Sequence, residues 1–335
     1  MTVPRKDGEE VRRELLGGGR LRTDLRIRSS PETVTFPLSS APGEIREGDV
    51  LGEEEFEPVR EAGPRSYRER LDLPEKEAAL LPRAFDVVGE IVLIRLPPEL
   101  LHRKAIIGAA LLEFVPGARL VGLDLGVKGV ERRRSLERLA GEGPWSTRHA
   151  ENGLTIDVDL ERVYFSPRLA REHARVAREV REGDGVLDLC CGAGPFSLTI
   201  ARDGRARQIV ALDLNPAAVE LGRANAHRLG FDRRIEFVEA RVEDVLGRFH
   251  DADRVIFNLP HEGIKYLPQV ATTVGPGGSI YYYEVTEMER ETLRPQALVA
   301  LLPGGAGEWE AGAFRRVHPY SPTLDLMAYT LRRAP

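Results

Sequence analysis

The sequence has few cysteines and no long apolar run. Its two cysteines, Cys190 and Cys191, are neighbours in a chain of 335 residues, and adjacent cysteines rarely pair with each other. A disulfide framework is therefore excluded, which fits a reducing cytoplasm, and no cysteine–histidine group has zinc-site spacing. No apolar stretch reaches the roughly 18 residues of a membrane helix. The N-terminus, MTVPRKDGEEVRRELL, is charged almost at once, so we expect no secretory signal.

Net positive charge is also missing. The chain has 48 basic and 53 acidic residues, a formal net charge of −5. This excludes a globally basic nucleic-acid binder but not a local basic face. Lysine is scarce, since 5 of the basic residues are lysines and 43 are arginines. Two interpretations stay open: a compositional bias of the genome, and phosphate recognition by the planar arginine fork.

The pattern of predicted elements changes along the chain. Residues 1–40 predict a small α/β unit, and residues 41–80, rich in Glu, Pro, Gly and Arg, predict a linker. A second unit begins near Phe85. From Val186 onward, strands alternate with turns and helices, which predicts a parallel, doubly wound sheet with helices on both faces. The segments GGSIYYYEV and DLMAYTLRR are the last predicted strands.

The first chemical motif is DLCCGAGPF at residues 188–196. An apolar strand ends at Asp188, and a turn containing Gly192 and Gly194 opens a helix. Glycines let the backbone approach a ligand, and a helix N-terminus offers unpaired N–H groups. Position 197 is serine, so the third glycine of a dinucleotide-binding turn is absent. Alone, the motif fits a nucleotide site and an ordinary tight turn equally well.

A second motif strengthens the nucleotide interpretation. Asp213 ends the next strand, 25 residues after Asp188. A carboxylate at that strand end lies beside the first turn and can accept two ribose hydroxyls. The alternative, a helix N-cap, is already met by Asn215. The two motifs together predict a site for a cofactor that carries a nucleoside.

The third motif is Asn258-Leu-Pro260-His261, at the end of the strand VIFN. It resembles the turn of S-adenosylmethionine-dependent enzymes that methylate ring or exocyclic nitrogens. An amide followed by a proline projects a fixed carbonyl and a side-chain donor toward a planar substrate edge. The alternative is a plain turn at a strand end.

Together, VYFSPRLAREHARV, VLDLCCGAGPFS, ALDLNP and VIFNLPH closely resemble the archaeal and eukaryal tRNA (guanine-37-N1)-methyltransferase family, and LAGEGPWSTRHAENG extends the likeness upstream. The resemblance covers nearly the whole chain. It implies an α/β fold: a class I S-adenosylmethionine-dependent methyltransferase domain, Rossmann-like and doubly wound, with two smaller N-terminal α+β domains. We expect a tRNA-binding domain at residues 1–60, a linker at 61–84, a middle domain at 85–158 and the Rossmann-like domain at 159–335.

The resemblance also implies residue roles. Methylating guanine N1 requires removal of its proton, and the family places the general base at the glutamate of PRLxxE, here Glu172. The family arginine that stabilises negative charge on guanine O6 lies 32 residues before Tyr164, which gives Arg132, the first of three arginines. Asn258 would hold the guanine or the reactive end of the cofactor. Without the family, Glu172 in an arginine-rich helix is typical of a solvated i,i+4 ion-pair partner.

The adenine end of the expected cofactor site departs from the family pattern. The family usually carries an aspartate after the third strand, whereas this chain has Arg241 there, which cannot accept from an amine. We expect Asp244 or Glu243 to replace it, with the backbone of Val242 meeting the ring. Tyr164, Arg168 and His173 are expected around the methionine moiety and the target base. The full set of expected cofactor contacts is Tyr164, His173, Asp188, Gly192, Gly194, Phe196, Asp213, Leu214, Val242, Asp244, Asn258 and Pro260.

Two alternatives to methyl transfer stay open. A sister family transfers the 3-amino-3-carboxypropyl group of the same cofactor during wybutosine synthesis, but it usually lacks the Asn-Leu-Pro turn and the PRLxxE glutamate. The other is a non-catalytic tRNA-binding protein, against which Glu172, Asp213 and Asn258 argue. We expect a cytoplasmic monomer whose tRNA contacts lie at the basic runs 128–138 and 162–181.

Overall fold

The computed structural model describes residues 1–58, 64–129, 131–287, 293–321 and 323–335. The chain divides into two units, Met1–Arg65 and Ser66–Pro335. Within the described ranges, no helix has the length and apolar character needed to cross a membrane.

The first unit is a small sheet with one helix. Its elements are β1 (Thr2–Pro4), α1 (Gly8–Gly17), β2 (Arg28–Ser29) and β3 (Thr33–Thr35). The strands pair antiparallel in the order β1-β3-β2. Val11 and Leu15 are one helical turn apart on α1, and they pack with Val3 and Phe36 in a small apolar core.

The second unit begins with a four-stranded sheet and its helices. These elements are α2 (Glu75–Leu80), β4 (Asp86–Val88), β5 (Ile91–Ile94), α3 (Lys104–Phe114), β6 (Leu120–Lys128) and β7 (Arg133–Gly141). The strand order is β4-β5-β6-β7, with β5 and β6 parallel and the outer pairs antiparallel. All four side chains of β5 are buried, as expected of a strand covered on both faces.

Part of the segment assigned to a linker is packed in the structure. Tyr67 and Leu81 are buried in the same apolar cluster as Ile107 and Leu111 of α3. The Tyr67 hydroxyl donates to the Pro82 carbonyl at 2.6 Å. The few apolar residues among many charges suggested a loose segment, but these two large side chains are enough to hold it against α3.

A hairpin connects this sheet to the larger one. Strands β8 (Ser146–Glu151) and β9 (Leu154–Asp159) pair with each other. The side chain of Asn225 accepts from the Asp157 N–H at 2.8 Å and donates to the Asp157 carbonyl at 2.9 Å. These two bonds fix the hairpin to the helix that carries Asn225.

The remaining chain forms a seven-stranded sheet flanked by helices. Its elements are α4 (Ala170–Glu179), β10 (Gly185–Leu189), α5 (Pro195–Asp203), β11 (Gln208–Asp213), α6 (Pro216–Leu229), β12 (Ile235–Glu239), α7 (Val242–Val245), β13 (Ala252–Phe257), α8 (Leu267–Ala271), β14 (Val274–Glu287), α9 (Arg294–Ala300), β15 (Trp309–Pro319) and β16 (Leu324–Arg333).

The strand order of this sheet is β12-β11-β10-β13-β14-β16-β15. The five strands from β12 to β14 are parallel, which confirms the doubly wound fold. The last two strands are antiparallel, so the sheet is mixed rather than wholly parallel, and β15 is a strand that the sequence pattern did not predict. Strand order reverses around β10, so its carboxyl end opens on the crevice where such folds bind ligands.

Both faces of the large sheet are buried. On β14, Tyr281 and Tyr283 pack into the apolar cluster on one face, and Tyr282 packs into the cluster on the other. This alternation is the two-residue period of a strand covered on both sides. The uninterrupted apolar run of β14 therefore reflects its position inside the sheet.

Candidate cofactor and substrate site

The turn after β10 has the conformation that its glycines predict. Gly192 and Gly194 have φ angles of 57° and 81°, in the left-handed region that favours glycine. At Gly194, an added Cβ would lie 2.8 Å from the ring of Phe237, so a larger residue would not fit. Cys190 also has a positive φ, 66°, which is costly for a residue with a side chain. The turn is a strained, tightly packed loop whose backbone faces the crevice.

Asp213, at the end of β11, is joined to this turn by its carboxylate. The Gly192 N–H donates to one carboxylate oxygen at 2.8 Å, and the Asn215 N–H donates to the other at 2.9 Å. Burial raises the pKa of Asp213, while these backbone donors oppose the shift. The side chain of Asn215 accepts from the Ala217 N–H, so Asn215 is the N-cap of α6 as expected. Asp213 is free to serve as an acceptor in the crevice.

Asp188 lies beneath the crevice and not in its wall. Its side chain is 1% exposed, and it accepts from the Ser197 hydroxyl at 2.7 Å. Burial raises the pKa of Asp188 to about 7. The carboxylate therefore ties the end of β10 to the first turn of α5, and contact with a cofactor would require a change in the turn.

Most of the predicted site residues line one cavity, at the carboxyl ends of β10, β11 and β13. The predicted residues that line it are Arg132, Tyr164, His173, Gly192, Phe196, Asp213, Leu214, Val242, Asn258 and Pro260. The other predicted residues do not belong to its lining: Arg168, Glu172, Asp188, Gly194, Glu243 and Asp244. Three lining residues come from the hairpin β15–β16, which sequence reasoning did not connect to the site: His318, Tyr320 and Leu326.

The three consecutive arginines have three different environments. Arg132 lines the cavity, and its guanidinium lies 5.5 Å from the ring centroid of Tyr164. Arg133 pairs with Glu131 at 2.6 Å on the surface. Arg134 is buried, and its guanidinium donates to Asp124 and to the Phe165 carbonyl. Of the three, only Arg132 is placed to meet a ligand in this cavity.

Glu172 is held by three side chains from three elements. Arg315 of β15 donates from Nε to Oε1 at 2.7 Å and from Nη2 to Oε2 at 2.9 Å. Arg175 of α4 and the Tyr283 hydroxyl of β14 each donate to Oε2 at 3.1 Å. Burial opposes ionisation, but the two guanidiniums prevail and hold the pKa of Glu172 below its ordinary value. Glu172 is thus an ionised, 5% exposed carboxylate.

His173 and Glu151 form a buried pair at the wall of the cavity. The His173 Nδ1 lies 2.7 Å from a Glu151 carboxylate oxygen, and the side chains are 1% and 2% exposed. The imidazole packs edge-on against Phe196, with ring centroids 4.5 Å apart. Its Nε2 is buried and finds no hydrogen-bond partner among the described residues. A buried polar atom without a partner in a cavity wall is suited to meet a bound ligand.

The HAENG motif explains how the His173 pair is built. Glu151 ends β8, and the next residue, Asn152, donates from its side chain to the Ala170 carbonyl at 2.8 Å. Both residues therefore attach the β8–β9 hairpin to α4. The motif was recognised in the sequence, but no role for Glu151 was inferred from it.

The Asn258-Leu-Pro turn follows β13 and lies beside the terminal hairpin. The Pro260 carbonyl accepts from the Val285 N–H at 3.0 Å. His261 Nε2 lies 3.0 Å from the Tyr320 hydroxyl. Asn258 and Pro260 line the cavity, and these two attachments fix the turn at Pro260 and His261.

At the expected adenine end, the structure separates Val242 from the charged residues beside it. Val242 lines the cavity, whereas the Arg241 guanidinium donates twice to Glu243, at 2.8 and 2.6 Å. Neither Glu243 nor Asp244 belongs to the cavity lining. The replacement of the family aspartate by Asp244 or Glu243 stays a prediction.

The residues of the cavity fit S-adenosylmethionine. The glycine turn admits a ligand close to the backbone, Asp213 offers an acceptor at the second strand end, and His173 presents a buried, unpartnered nitrogen. Within the described ranges, no group of three or more His, Cys, Asp or Glu side chains could hold a metal ion.

Three protein-family models match successive parts of the chain. Residues 147–303 match the TRM5/TYW2 methyltransferase domain, residues 67–144 match the TYW2 N-terminal domain, and residues 2–45 match the tRNA methyltransferase 5 N-terminal domain.

Individual relatives match along most of the chain. The tRNA (guanine(37)-N(1))-methyltransferase Trm5b of Pyrococcus abyssi is 34% identical over 84% of this chain and 83% of its own length. The crystal structure of wild-type Trm5b from Pyrococcus abyssi matches with a TM-score of 0.77 at 31% identity, over 100% of this chain and 98% of that one. A complex of aTrm5 with tRNALeu matches with a TM-score of 0.71 at 29% identity, over 99% and 98%. The chain therefore belongs to the Trm5/TYW2 family of S-adenosylmethionine-dependent tRNA methyltransferases.

Proposed function

We propose that this enzyme transfers the methyl group of S-adenosylmethionine to N1 of guanine-37 in tRNA. The observation that carries the proposal is the juxtaposition of Arg132, Tyr164 and Asn258 with the glycine-rich turn in one cavity. The relative in Pyrococcus abyssi is named for this reaction, and a structure of a relative contains tRNALeu. Substrate and cofactor groups would thus meet at the carboxyl ends of β10 and β13.

The proposed chemistry assigns separate roles to Arg132 and Glu172. When bound, S-adenosylmethionine supplies an electrophilic methyl group on a positively charged sulfur. Glu172 takes the N1 proton, so that the N1 lone pair can form the new bond to carbon as the carbon–sulfur bond breaks. Negative charge develops on guanine O6 as the proton leaves and is lost as the new bond forms, and the Arg132 guanidinium donates to O6 in between. Asn258 orients the guanine edge beside the cofactor.

The state of Glu172 supports its proposed role. The low pKa leaves the carboxylate ionised at neutral pH, as a proton acceptor must be. Among the described residues, Oε2 accepts from three side chains, whereas Oε1 accepts from Arg315 alone. Oε1 therefore retains acceptor capacity. Because Glu172 does not line the cavity, the proposal requires that the incoming guanine reaches Oε1 beside Arg315.

The remaining predicted contacts are proposed to bind the cofactor. Asp213 would accept the ribose hydroxyls, and Leu214 and Val242 would border the adenine. Tyr164 and His173 would surround the methionine end. Phe196 and the backbone at Gly192 would border the sulfur.

The test is methylation of an unmodified tRNA transcript bearing guanine-37, with methyl-labelled cofactor and nucleoside analysis. We expect 1-methylguanosine. Glu172→Gln should keep cofactor affinity and lose roughly 10²–10⁴-fold in single-turnover rate. Glu182 is an exposed glutamate just after α4, so the control variant Glu182→Gln should change neither the cofactor affinity nor the rate. A wild-type rate for Glu172→Gln would refute the base assignment.

Carboxypropyl transfer, the reaction of the sister family, is the second candidate; residues 67–144 match a different protein's domain, the TYW2 N-terminal domain, so the middle of the chain does not by itself point to methyl transfer. Glu172 and the Asn258 turn favour methyl transfer because the sister family usually lacks both. Cofactor labelled in its carboxyl carbon distinguishes the two reactions. Label from the carboxyl carbon in tRNA would overturn the proposal, and label from the methyl carbon alone would support it.

A further inference from the structure

Strand β15 brings one guanidinium to Glu172 from the far end of the chain. Arg315 lies 143 positions after Glu172 and meets it with both N–H groups of one guanidinium edge, Nε to Oε1 at 2.7 Å and Nη2 to Oε2 at 2.9 Å. This fork-to-fork arrangement fixes the plane of the carboxylate as well as its charge.

The two arginines at Glu172 are not equivalent. Arg175 divides its guanidinium between Glu172 and Glu179, and its bond to Glu179 is the shorter, at 2.6 Å against 3.1 Å. It also reaches only Oε2 of Glu172. Arg315 contacts both oxygens and is the only described donor to Oε1. The orientation of Oε1 therefore depends on Arg315.

We propose that Arg315 is a positioning residue for methyl transfer: its guanidinium fork keeps Glu172 ionised and fixes the direction in which Oε1 accepts the guanine proton. The proposal rests on the proposed role of Glu172 as general base. Arg315 acts through Glu172, and no contact between Arg315 and substrate is part of the proposal.

Two cations and one neutral hydroxyl face Glu172 from three directions. Arg175 faces it from α4, Arg315 from β15, and the Tyr283 hydroxyl, whose own pKa is raised by burial, from β14. An adjacent cation lowers a carboxyl pKa by about 1–3 units. Removing Arg315 while Arg175 stays should therefore raise the pKa of Glu172 by about one unit.

The direction of the pH effect follows from this shift. A general base is active when ionised, so the rate falls as the pH drops through its pKa. In the wild-type enzyme this acidic limb of the pH profile lies below the pH at which an ordinary glutamate titrates, because the two guanidiniums lower the pKa of Glu172. In Arg315→Met the limb should move to higher pH, because one of the two cations that lower the pKa of Glu172 is lost.

The experiment is the pH profile of single-turnover methyl transfer to a tRNA transcript with guanine-37, measured for wild type, Arg315→Met and Arg315→Lys. Arg315→Met should shift the acidic limb by about one unit and lower the plateau rate by roughly 10- to 100-fold through misorientation. Arg315→Lys keeps the charge but not the fork, so its limb should return toward wild type while its plateau stays low.

The matched control is Arg332→Gln. Arg332 lies on β16 of the same hairpin and makes an exposed ion pair with Glu310 at 3.5 Å, so this variant should leave both limb and plateau unchanged. Calorimetric cofactor affinity and thermal melting show whether each variant is folded. If Arg315→Met is poorly folded, Arg315→Lys decides the question: the proposal expects an acidic limb near the wild-type position together with a lowered plateau rate.

Two results would overturn the inference: a lowered plateau with an unshifted limb in Arg315→Met, or a wild-type profile in that variant. Failure of the proposed function is distinguishable from both. In that case Glu172→Gln itself methylates at the wild-type rate. If Glu172→Gln methylates slowly but the acidic limb of the Arg315→Met pH profile is not shifted, the role of Arg315 alone is refuted.

Discussion

Replacing the three consecutive arginines one at a time by methionine should separate catalysis from stability. Arg132→Met should lower single-turnover methylation by roughly 10²–10³-fold, as expected for the loss of a donor to developing charge. Its stability should stay near wild type, because Arg132 faces the cavity. Arg133→Met should leave the methylation rate and the stability unchanged, because Arg133 forms its ion pair with Glu131 at the protein surface.

Arg134→Met should mainly destabilise the fold. The side chains of Arg134 and Asp124 are 3% and 5% exposed, and removing one member of a buried pair costs about 3–5 kcal/mol. The lower end applies because Asp124 retains Arg95 at 3.1 Å and the Gly126 N–H at 2.9 Å. At roughly 2–4 °C per kcal/mol, about 3 kcal/mol lowers the melting temperature by roughly 6–12 °C.

The assay is thermal melting of all three variants beside single-turnover methylation at saturating cofactor. Arg133→Met is the matched control for charge removal in the same segment. The reasoning is refuted if Arg134→Met has the same melting temperature as the wild type, since the buried ion pair would then contribute nothing to stability. It is equally refuted if Arg133→Met loses as much rate as Arg132→Met, since the charge of the segment would then matter more than the position of one guanidinium.

Three further results are expected. Asp213→Asn should weaken S-adenosylmethionine binding by roughly 10- to 100-fold in calorimetry, the worth of a charge-assisted hydrogen bond; unchanged affinity would contradict the ribose assignment. Glu151→Gln should lower the free energy of unfolding in urea by roughly 1–3 kcal/mol and weaken cofactor binding, because the partner of His173 loses its negative charge; unchanged stability and affinity would contradict this role. Asp188→Asn should raise the melting temperature at pH 8 but not near pH 4. Burial raises the pKa of Asp188 to about 7, so ionising this carboxyl group destabilises the folded protein progressively as the pH rises from about 4 to about 7. An equal difference in melting temperature between the variant and the wild type at both pH values would contradict the raised pKa of Asp188.

The sequence predicted best what depends on neighbouring residues. The strand, glycine-rich turn and helix at residues 185–203 follow from a local apolar run, from Gly192 and Gly194 at positive φ, and from Pro195 in the first turn of the helix. Asp213 was placed beside this turn because parallel strands end at one edge of the sheet. These relationships need no knowledge of distant contacts.

Strand β15 shows where local pattern fails. Its register with β16 shifts twice, between Ala311 and Phe314 and between Arg316 and His318, so its side chains do not follow a clean two-residue period. It is also the edge strand of the sheet, where apolar content is low. Neither Arg315 nor the cavity residues of the hairpin could be assigned without the long-range pairing.

Asp188 illustrates a different limit. A carboxylate at the end of a strand before a glycine turn suits a ligand contact, and the sequence supports that interpretation. The structure gives the carboxylate a nearer partner in Ser197, nine positions later. Because serine one turn into a helix is common in any sequence, nothing in the motif separates a buried cap from a ligand contact.

Counting arginines along the sequence overstates the charge available to RNA. In the run 162–181, Arg162 pairs with Glu220 and Arg168 pairs with Asp86, both carboxylates outside the run, and Arg175 pairs with Glu172 and Glu179 inside it. A guanidinium that already meets a carboxylate contributes little to a phosphate contact, because the phosphate would have to displace that partner. An acidic chain can therefore be rich in arginine without a broad basic face. We expect its recognition of tRNA to depend on a few guanidiniums in defined positions, and Arg132, which lines the cavity, is the one that we propose for the target base.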